Sequence, residues 1–514
     1  MTAKPEKLNT AFPCAPVIAV MGHIDHGKTT LLDYIRQSCA DDAKAKHKNV
    51  ADGEAGGITQ HVSAYEVKRK SADGTIKSIT FIDTPGHEAF AGIRSRGARV
   101  ADIGILVVSA EDGVKPQTVE ALKFIKEAKL PYIVAITKTD KPGANIERAK
   151  QSLLEHEIYV EGYGGEIPCV PVSGKTGEGV PELLDMILLV AEVENISAHP
   201  EKSAEGVILE TTRSKERGVS ATLIVKDGTL KKGMVVVSGN AVSPLRQMEN
   251  FAGKKIEEAL PGTPVVITGW DLMPETGATF HSFATKKEAE KYLENSKLTP
   301  VKSIQSKTAT IEERVALPVV IKADVSGTLE AIKYELSKLA TDKIYVKVIQ
   351  SGTGDINESD LKIVAGSSGT CLFGFNVKVD TAAKNLSERD GVAIEMFTII
   401  YKLIERVQVI LLERTPKIET TEIQGKAKII RMFSIVKDRQ IIGGKVTEGL
   451  LKVGNEFKII RRTAEVGTGR IRELQQQKVK TSEVAEGREF GAQVEARIEI
   501  APGDVLEAFL ITQK

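Results

Sequence analysis

The residues best placed for chemistry are Gly22-His23-Ile24-Asp25-His26-Gly27-Lys28-Thr29, which fit G-x-x-x-x-G-K-[ST]. The glycines of such a loop let its backbone N–H groups, including those of Asp25 and His26, turn inward on a phosphate. Lys28 then adds positive charge between the β- and γ-phosphates, and the Thr29 hydroxyl can ligate Mg²⁺. A threonine is also wanted nearby that senses the third phosphate. Gly56-Gly57-Ile58-Thr59-Gln60-His61 supplies Thr59, whose hydroxyl completes the metal shell only when that phosphate is present. Further on, Ile79-Thr80-Phe81-Ile82-Asp83-Thr84-Pro85-Gly86-His87 brings Asp83 to the Mg²⁺ water shell. In the same stretch Gly86 lets its N–H approach the γ-phosphate, and His87 lies where a group orienting the attacking water is needed.

Two shorter motifs address the base. Thr137-Lys138-Thr139-Asp140 carries a carboxylate that accepts from guanine N1–H and N2–H₂, a pair that adenine lacks. Lys138 covers the base face with its aliphatic stem. Ser173-Gly174-Lys175 offers a backbone N–H to guanine O6. In this order the five motifs predict a GTP-hydrolysing switch with Mg²⁺ as cofactor and GDP as product. The metal ligands would be Thr29, Thr59 and Asp83, and His87 the catalytic residue. Gly22, Asp25, His26, Gly27, Lys28, Thr29, Thr30, Gly86, Thr137, Lys138, Asp140, Ser173, Gly174 and Lys175 would hold the nucleotide.

Positioning such groups takes an ordered sheet. The apolar run Val17–Met21 precedes the phosphate loop and a helical pattern from Thr30 to Gln37 follows it. Strand-like and helix-like stretches alternate to about Glu194, which predicts a mostly parallel sheet whose strand ends carry the motifs. With 514 residues, the chain is too long for one core. Its 41% hydrophobic and 27% charged composition is that of a globular protein, and a net charge of +1 gives no global attraction to nucleic acid. The four cysteines show no paired or metal-ligand spacing, so free thiols in a reducing compartment are expected. Residues 1–16 lack the apolar core of a secretory signal and no run is long enough to span a membrane, so a cytoplasmic location with no membrane partner is expected.

Together, Gly-His-Ile-Asp-His-Gly-Lys-Thr, Gly-Gly-Ile-Thr-Gln-His and Asp-Thr-Pro-Gly-His-Glu resemble those of the translational GTPases. Within that group, Phe90-Ala91 through Arg94-Ser95-Arg96-Gly97-Ala98 and Ala110-Glu111-Asp112-Gly113-Val114-Lys115-Pro116-Gln117-Thr118 are similar to the bacterial translation initiation factor 2 family. By this resemblance, His87 positions the water while Ile24 and Ile58 form an apolar gate that restrains it until the ribosome docks. Asp25 resembles an aspartate associated with a monovalent cation. The implied partners are the ribosome, through its 30S and 50S subunits, and initiator formylmethionyl-tRNA, with the factor a monomer. It would promote initiator binding to the small subunit and subunit joining, hydrolysing GTP as the 70S ribosome forms. The family's long N-terminal extension is absent from this sequence, which reads as a short form. Two readings compete: a translational GTPase serving another tRNA, and a nucleotide-gated ribosome-binding factor with little turnover.

The chain departs from the family at Thr137, where asparagine is usual, so a weaker tether between loops is expected. Gly174 stands in place of the usual alanine and keeps the backbone donor.

The expected architecture is multidomain α/β plus β. Residues 1–16 form a tail and 17–197 a P-loop GTP-binding domain. Short apolar runs between glycine turns predict a β-barrel of the translation-factor type over 203–284. A charged linker (285–314) leads to a small α/β/α sandwich (315–397), then a connecting helix (398–415) with apolar residues at helical spacing. A second β-barrel, over 420–514, would bind initiator tRNA. Asp227-Gly228-Thr229-Leu230-Lys231-Lys232-Gly233 and Glu448-Gly449-Leu450-Leu451-Lys452-Val453-Gly454 read as one signature repeated in two copies of one barrel type. The family's formylmethionyl pocket usually has two cysteines and a basic-basic-aromatic trio. Here Gly444, Phe490 and Gln475-Gln476-Gln477 stand there, while Glu489 and Gly491 match, so weaker or less formyl-selective binding is expected.

Overall fold

The computed structural model describes residues 11–39, 59–70, 74–297, 314–415, 419–436 and 438–513. Gly56, Gly57 and Ile58, one half of the expected gate, lie outside the described residues. The chain divides after Glu413 into two compact units.

In the first unit, a sheet runs in the order β2 (Ser63–Lys70), β3 (Ile76–Asp83), β1 (Val17–Gly22), β4 (Ile103–Ser109), β5 (Tyr132–Thr137), β6 (Cys169–Pro171). Only β2–β3 is antiparallel. Both faces are covered, and alternation along β1 shows how. Ile18 and Val20 pack with Leu31, Leu32 and Ile35 of α1 (Lys28–Ser38) and with Leu183, Leu184 and Ile187 of α5 (Val180–Val193). Ala19 and Met21 face Ala98 of α2 (Ala91–Val100), Leu122 and Ile125 of α3 (Pro116–Glu127), and Leu153 of α4 (Ile146–Glu155). Strand β1 is accordingly apolar and buried along its whole length, as a strand covered on both faces requires.

The next domain is an antiparallel barrel. Its strands are β7 (Glu205–Ser214), β8 (Gly218–Asp227), β9 (Val235–Ser238), β10 (Ala241–Pro244), β11 (Met248–Asn250), β12 (Pro264–Thr268) and β13 (Thr279–Phe283). They are ordered β10-β9-β13-β7-β8-β12-β11 around a core that includes Phe280 and Trp270. After the charged helix α6 (Lys286–Lys297) comes a parallel sheet in the order β15-β14-β16-β17: β14 (Val315–Ala323), β15 (Ile344–Thr353), β16 (Cys371–Phe375) and β17 (Ile394–Phe397). Its helices are α7 (Ser326–Lys338), α8 (Glu358–Gly366) and α9 (Thr381–Asp390). The sheet is one strand and one helix larger than the β-α-β-α-β layer readable from the sequence. Helix α10 (Ile400–Arg414) follows and buries Ile400, Leu403, Val407, Ile410 and Leu411. These side chains share a core with Phe90, Ile93, Phe373 and Phe375, so α10 and the parallel sheet pack against the segment after His87.

Where these domains meet lies Glu210 on β7. Burial, with Asp324 adding like charge, pushes its carboxyl from 4.5 up to about 8. The folded chain thus keeps a proton that the unfolded chain releases. The stability tied to it is complete below pH 4.5 and is lost as the pH rises towards 8. Glu210→Gln should raise the melting temperature above pH 8 and leave it unchanged at pH 4; parallel melting curves for both proteins across that range would contradict this.

The second unit is a barrel of β18 (Glu419–Val436), β19 (Arg439–Lys452), β20 (Glu456–Arg461), β21 (Ala464–Gln476), β22 (Val479–Thr481), β23 (Glu483–Ala485), β24 (Glu489–Ala496) and β25 (Val505–Gln513). Its pairings β18–β19, β19–β24, β24–β21, β18–β25 and β25–β20 repeat those of β7–β8, β8–β12, β12–β11, β7–β13 and β13–β9. The repeated signature has a physical cause. Gly228 (φ 73°) and Gly449 (φ 69°) are both left-handed, and a Cβ at either would lie 2.2 or 2.3 Å from a carbonyl oxygen. Only glycine fits both the backbone and the space.

Candidate functional site

The loops at the carboxyl ends of β1, β3, β5 and β6 enclose a cleft of about 340 Å³. Asp25, Gly27, Lys28, Thr29, Thr30, Thr59, Gly86, His87, Thr137, Lys138, Asp140, Gly174 and Lys175 line it, along with Ile24 and with Lys141, which no motif singled out. Gly22, His26, Asp83 and Ser173 sit behind that wall. Gly22 gives its carbonyl to Lys28 Nζ at 3.1 Å. The His26 ring points inward, its Nδ1 accepting from Ser109 N at 3.3 Å, so only its backbone can face a ligand.

Gly27 caps α1 without a side chain, which leaves the first-turn N–H groups free to meet an anion. Lys28 Nζ lies 2.6 Å from the His23 carbonyl. Burial lowers its pKa, and the nearby Asp83 carboxylate opposes that shift. The close approach of the loop after β3 depends on Gly86, where a Cβ would stand 2.6 Å from the lysine nitrogen.

Three oxygens converge beside it. Thr29 Oγ1 is 2.6 Å from Thr59 Oγ1 and 3.5 Å from Asp83 Oδ2. Asp83 Oδ1 is buried with no hydrogen-bond partner. Hard oxygens with a spare carboxylate atom suit Mg²⁺. Among the described residues no group of three or more His, Cys, Asp or Glu side chains converges on a metal position, so a cation held here would need hydroxyl ligands as well.

His87 is 8% exposed. Its Nδ1 accepts from Ala89 N at 2.8 Å, which leaves the proton on Nε2, a buried atom without a partner. Burial lowers its pKa to about 4, with Arg94 adding to the shift and Glu335 and Glu88 opposing it. At neutral pH the ring is therefore a neutral donor at Nε2. Tyr401 of α10 stands edge-on to it, centroids 4.0 Å apart. Around it, Gln60 Nε2 donates to Thr398 O at 3.0 Å, and Lys338 holds Glu88 at 2.9 Å. Tyr401 and Lys338 lie about 250 residues or more from their partners in sequence, and no local pattern marks them.

At the base end, Ser173 Oγ donates to Asp140 Oδ1 at 2.8 Å and accepts from Lys175 N and Thr176 N, fixing the carboxylate. Thr137 Oγ1 donates to the His26 carbonyl at 2.5 Å, so the short hydroxyl does tie this loop to the phosphate loop. Gly174 has a role that its backbone donor alone did not reveal. A Cβ there would meet Leu31 N at 2.7 Å, so glycine lets the loop lie directly on α1. Because a single hydroxyl carries the tether, Thr137→Val should weaken GDP binding about tenfold, the worth of roughly one hydrogen bond. Titration with a fluorescent GDP would show it, and unchanged affinity would contradict it.

In the second unit, a separate cleft of about 380 Å³ gathers Gly444, Gln475, Gln477, Glu489, Phe490 and Gly491 with Ile430, Arg431, Phe433, Gly443 and Lys478. Gln476 does not line it. Phe490 fills the space beside Gly444, where a Cβ would lie 3.1 Å from the ring. Gln477 (φ 50°) and Lys478 (φ 68°) form a left-handed two-residue turn at the rim, a conformation costly for such side chains.

Residues 15–193 match the family model of the elongation factor Tu GTP binding domain, 203–283 that of elongation factor G domain 2, and 290–408 that of translation-initiation factor 2. The chain is 40% identical over 521 residues to translation initiation factor IF-2 of Halothermothrix orenii, covering 98% of this chain and 73% of that one. It is 40% identical to the Rubrobacter xylanophilus protein of the same name (97% and 71% covered) and 42% identical to that of Phenylobacterium zucineum (97% and 50%). The chain spans about half the length of several such relatives. Among solved structures, GDP-bound aIF5B from Aeropyrum pernix is 27% identical, with a TM-score of 0.45 and coverage of 97% of this chain and 92% of that one. Among the described residues no helix is long and apolar enough to cross a membrane.

Proposed function

The chain belongs to the translation initiation factor 2 family, and from that membership we propose that it is a ribosome-activated GTPase that brings initiator formylmethionyl-tRNA to the small subunit and promotes subunit joining. One observation carries the enzymatic part. A single cleft gathers the phosphate loop, Thr59, Gly86, His87 and the base-reading Asp140. First-turn N–H groups and Lys28 hold the phosphates, and Asp140 reads guanine. Thr29, Thr59 and Asp83 would hold Mg²⁺, which when bound neutralises charge on the phosphate oxygens. Asp25, on the cleft wall, is the candidate partner of a monovalent cation. Water attacks the γ-phosphorus, and the P–O bond to the β-phosphate breaks, its electron pair staying on GDP. The water's proton leaves with the phosphate. His87 Nε2–H orients the nucleophile or the γ-phosphate by donating, since Nδ1 is occupied.

The terminal barrel is the proposed seat of the tRNA acceptor end. Its cleft has an apolar floor at Phe490 and two cations, Arg431 and Lys478, at its edge. Glutamines and backbone donors replace the usual basic trio, which favours weaker discrimination of the formyl group. Binding of formylated and unformylated initiator methionyl-tRNA, with elongator methionyl-tRNA as control at fixed salt, tests this. Preference for initiator over elongator supports the reading; equal binding of all three would refute it.

A further inference from the structure

Arg94, within the Arg-Ser-Arg-Gly run of α2, is 1% exposed and heads the largest fully buried side chains. Its guanidinium donates from Nη1 to the carbonyls of Pro85, at 3.0 Å, and of His87. These carbonyls flank Gly86, the residue whose backbone must approach the γ-phosphate. From Nη2 it donates to Glu120 Oε2 of α3 at 2.8 Å, and the plane lies 6.0 Å from the Phe124 ring. One turn earlier on the same helix face, Gln117 Oε1 accepts from Ile24 N at 3.0 Å. Helix α3 thus grips the phosphate loop through Gln117 and the Pro85–His87 loop through Glu120 and Arg94. Both sequence runs that marked the family resemblance, around Arg94 and around Gln117, take part in this clip.

A buried guanidinium costs much desolvation, which the forked bonds of Nη1 and Nη2 offset here, while Nε is buried without a partner. We propose that Arg94, braced by Glu120, is a positioning residue for hydrolysis. It fixes the peptide units on either side of Gly86 and so holds Gly86 N–H and the His87 ring in register with Lys28 and the phosphate loop. It does not line the cleft and acts through the backbone that does. The inference rests on the GTPase reading above. GDP lacks the γ-phosphate that this loop meets, so GDP affinity should not depend on the clip, whereas turnover should.

The test measures ribosome-stimulated GTP turnover, fluorescent-GDP affinity and melting temperature for the full chain, Arg94→Lys and Glu120→Gln. A lysine can reach a carbonyl but cannot fork, so Arg94→Lys should lower kcat about 30-fold with GDP affinity within about twofold of the parent. Glu120 is partly exposed, and its glutamine variant should fold normally and turn over about fivefold more slowly, a brace weakened but not removed. Parental kcat in Glu120→Gln overturns the proposal even if Arg94→Lys fails to fold. So does a fall in GDP affinity equal to the fall in kcat. Turnover in the parent but no difference among variants defeats this inference alone, and no turnover in the parent defeats the GTPase reading with it.

Discussion

Replacing His87 by alanine should lower ribosome-stimulated GTP turnover about a thousandfold, the range of a lost proton-handling or orienting group, while GDP binds as before. The ring is already held for one use. Nδ1 is spent on Ala89 N, and Nε2 is a protonated donor with no protein partner. Alanine removes that donor and nothing that meets GDP. The pH dependence gives a second reading of the same group. Burial lowers its pKa to about 4, so the ring stays neutral through the working range and the rate should show no step near pH 6.5. The stability linked to this shift is complete above pH 6.5 and is lost as the pH falls towards 4. A rate step near 6.5 in the parent that vanishes in His87→Ala would show that the imidazolium is the active form. Turnover unchanged by the substitution would remove His87 from the chemistry.

Asp140→Asn should exchange the preferred base. In the proposed site the aspartate would accept two guanine N–H bonds, and Ser173 holds it in place through Oδ1. An asparagine amide in that position accepts one bond but presents an NH₂ to the guanine NH₂. GTP affinity should fall about 10²–10³-fold, the cost of unpaired groups in a site built for pairing. Xanthosine triphosphate has a carbonyl where guanine has that amine, so its binding should rise. Competition between the two nucleotides on the variant measures both effects. Retained GTP preference would mean that Asp140 is not the reader.

Much of the candidate cleft could be read along the chain because each part is local. A phosphate loop is eight consecutive residues, and the strand before it and the helix after it are its neighbours. Asp140 and Ser173, proposed to lie at the base, needed only the order of strands to bring them together. Barrel repetition was visible too, because Gly228 and Gly449 satisfy the same backbone demand. Other features depend on distance or on irregularity. Strand β17 and helix α9 were missed because Ala383 is the only buried residue on α9, a short and polar helix. In the terminal barrel, register shifts between Ile429 and Arg431 and between Met432 and Ser434 break the alternation of β18. Ile430 and Phe433 thereby join the cleft, which the period-two pattern could not show. Tyr401 against His87 is the clearest case, since two residues 314 positions apart meet only through the packing of α10.

Those long-range contacts bear on how the switch works. Gln60, His87 and Glu88 follow the cleft-lining Thr59 and Gly86, and each is tied to the parallel-sheet domain or to α10. Under the proposed function, reordering of the loops on phosphate loss would strain or release these ties and so link hydrolysis to the rest of the first unit.

The most direct measurement follows phosphate release after rapid mixing of the GTP-loaded chain with small subunits carrying initiator tRNA, with large subunits, and with both. A burst is predicted only when both are present, because in the proposed mechanism subunit joining completes the geometry around His87. Equal rates in all three mixtures, or no phosphate release in any, would contradict a GTPase that the joined ribosome activates.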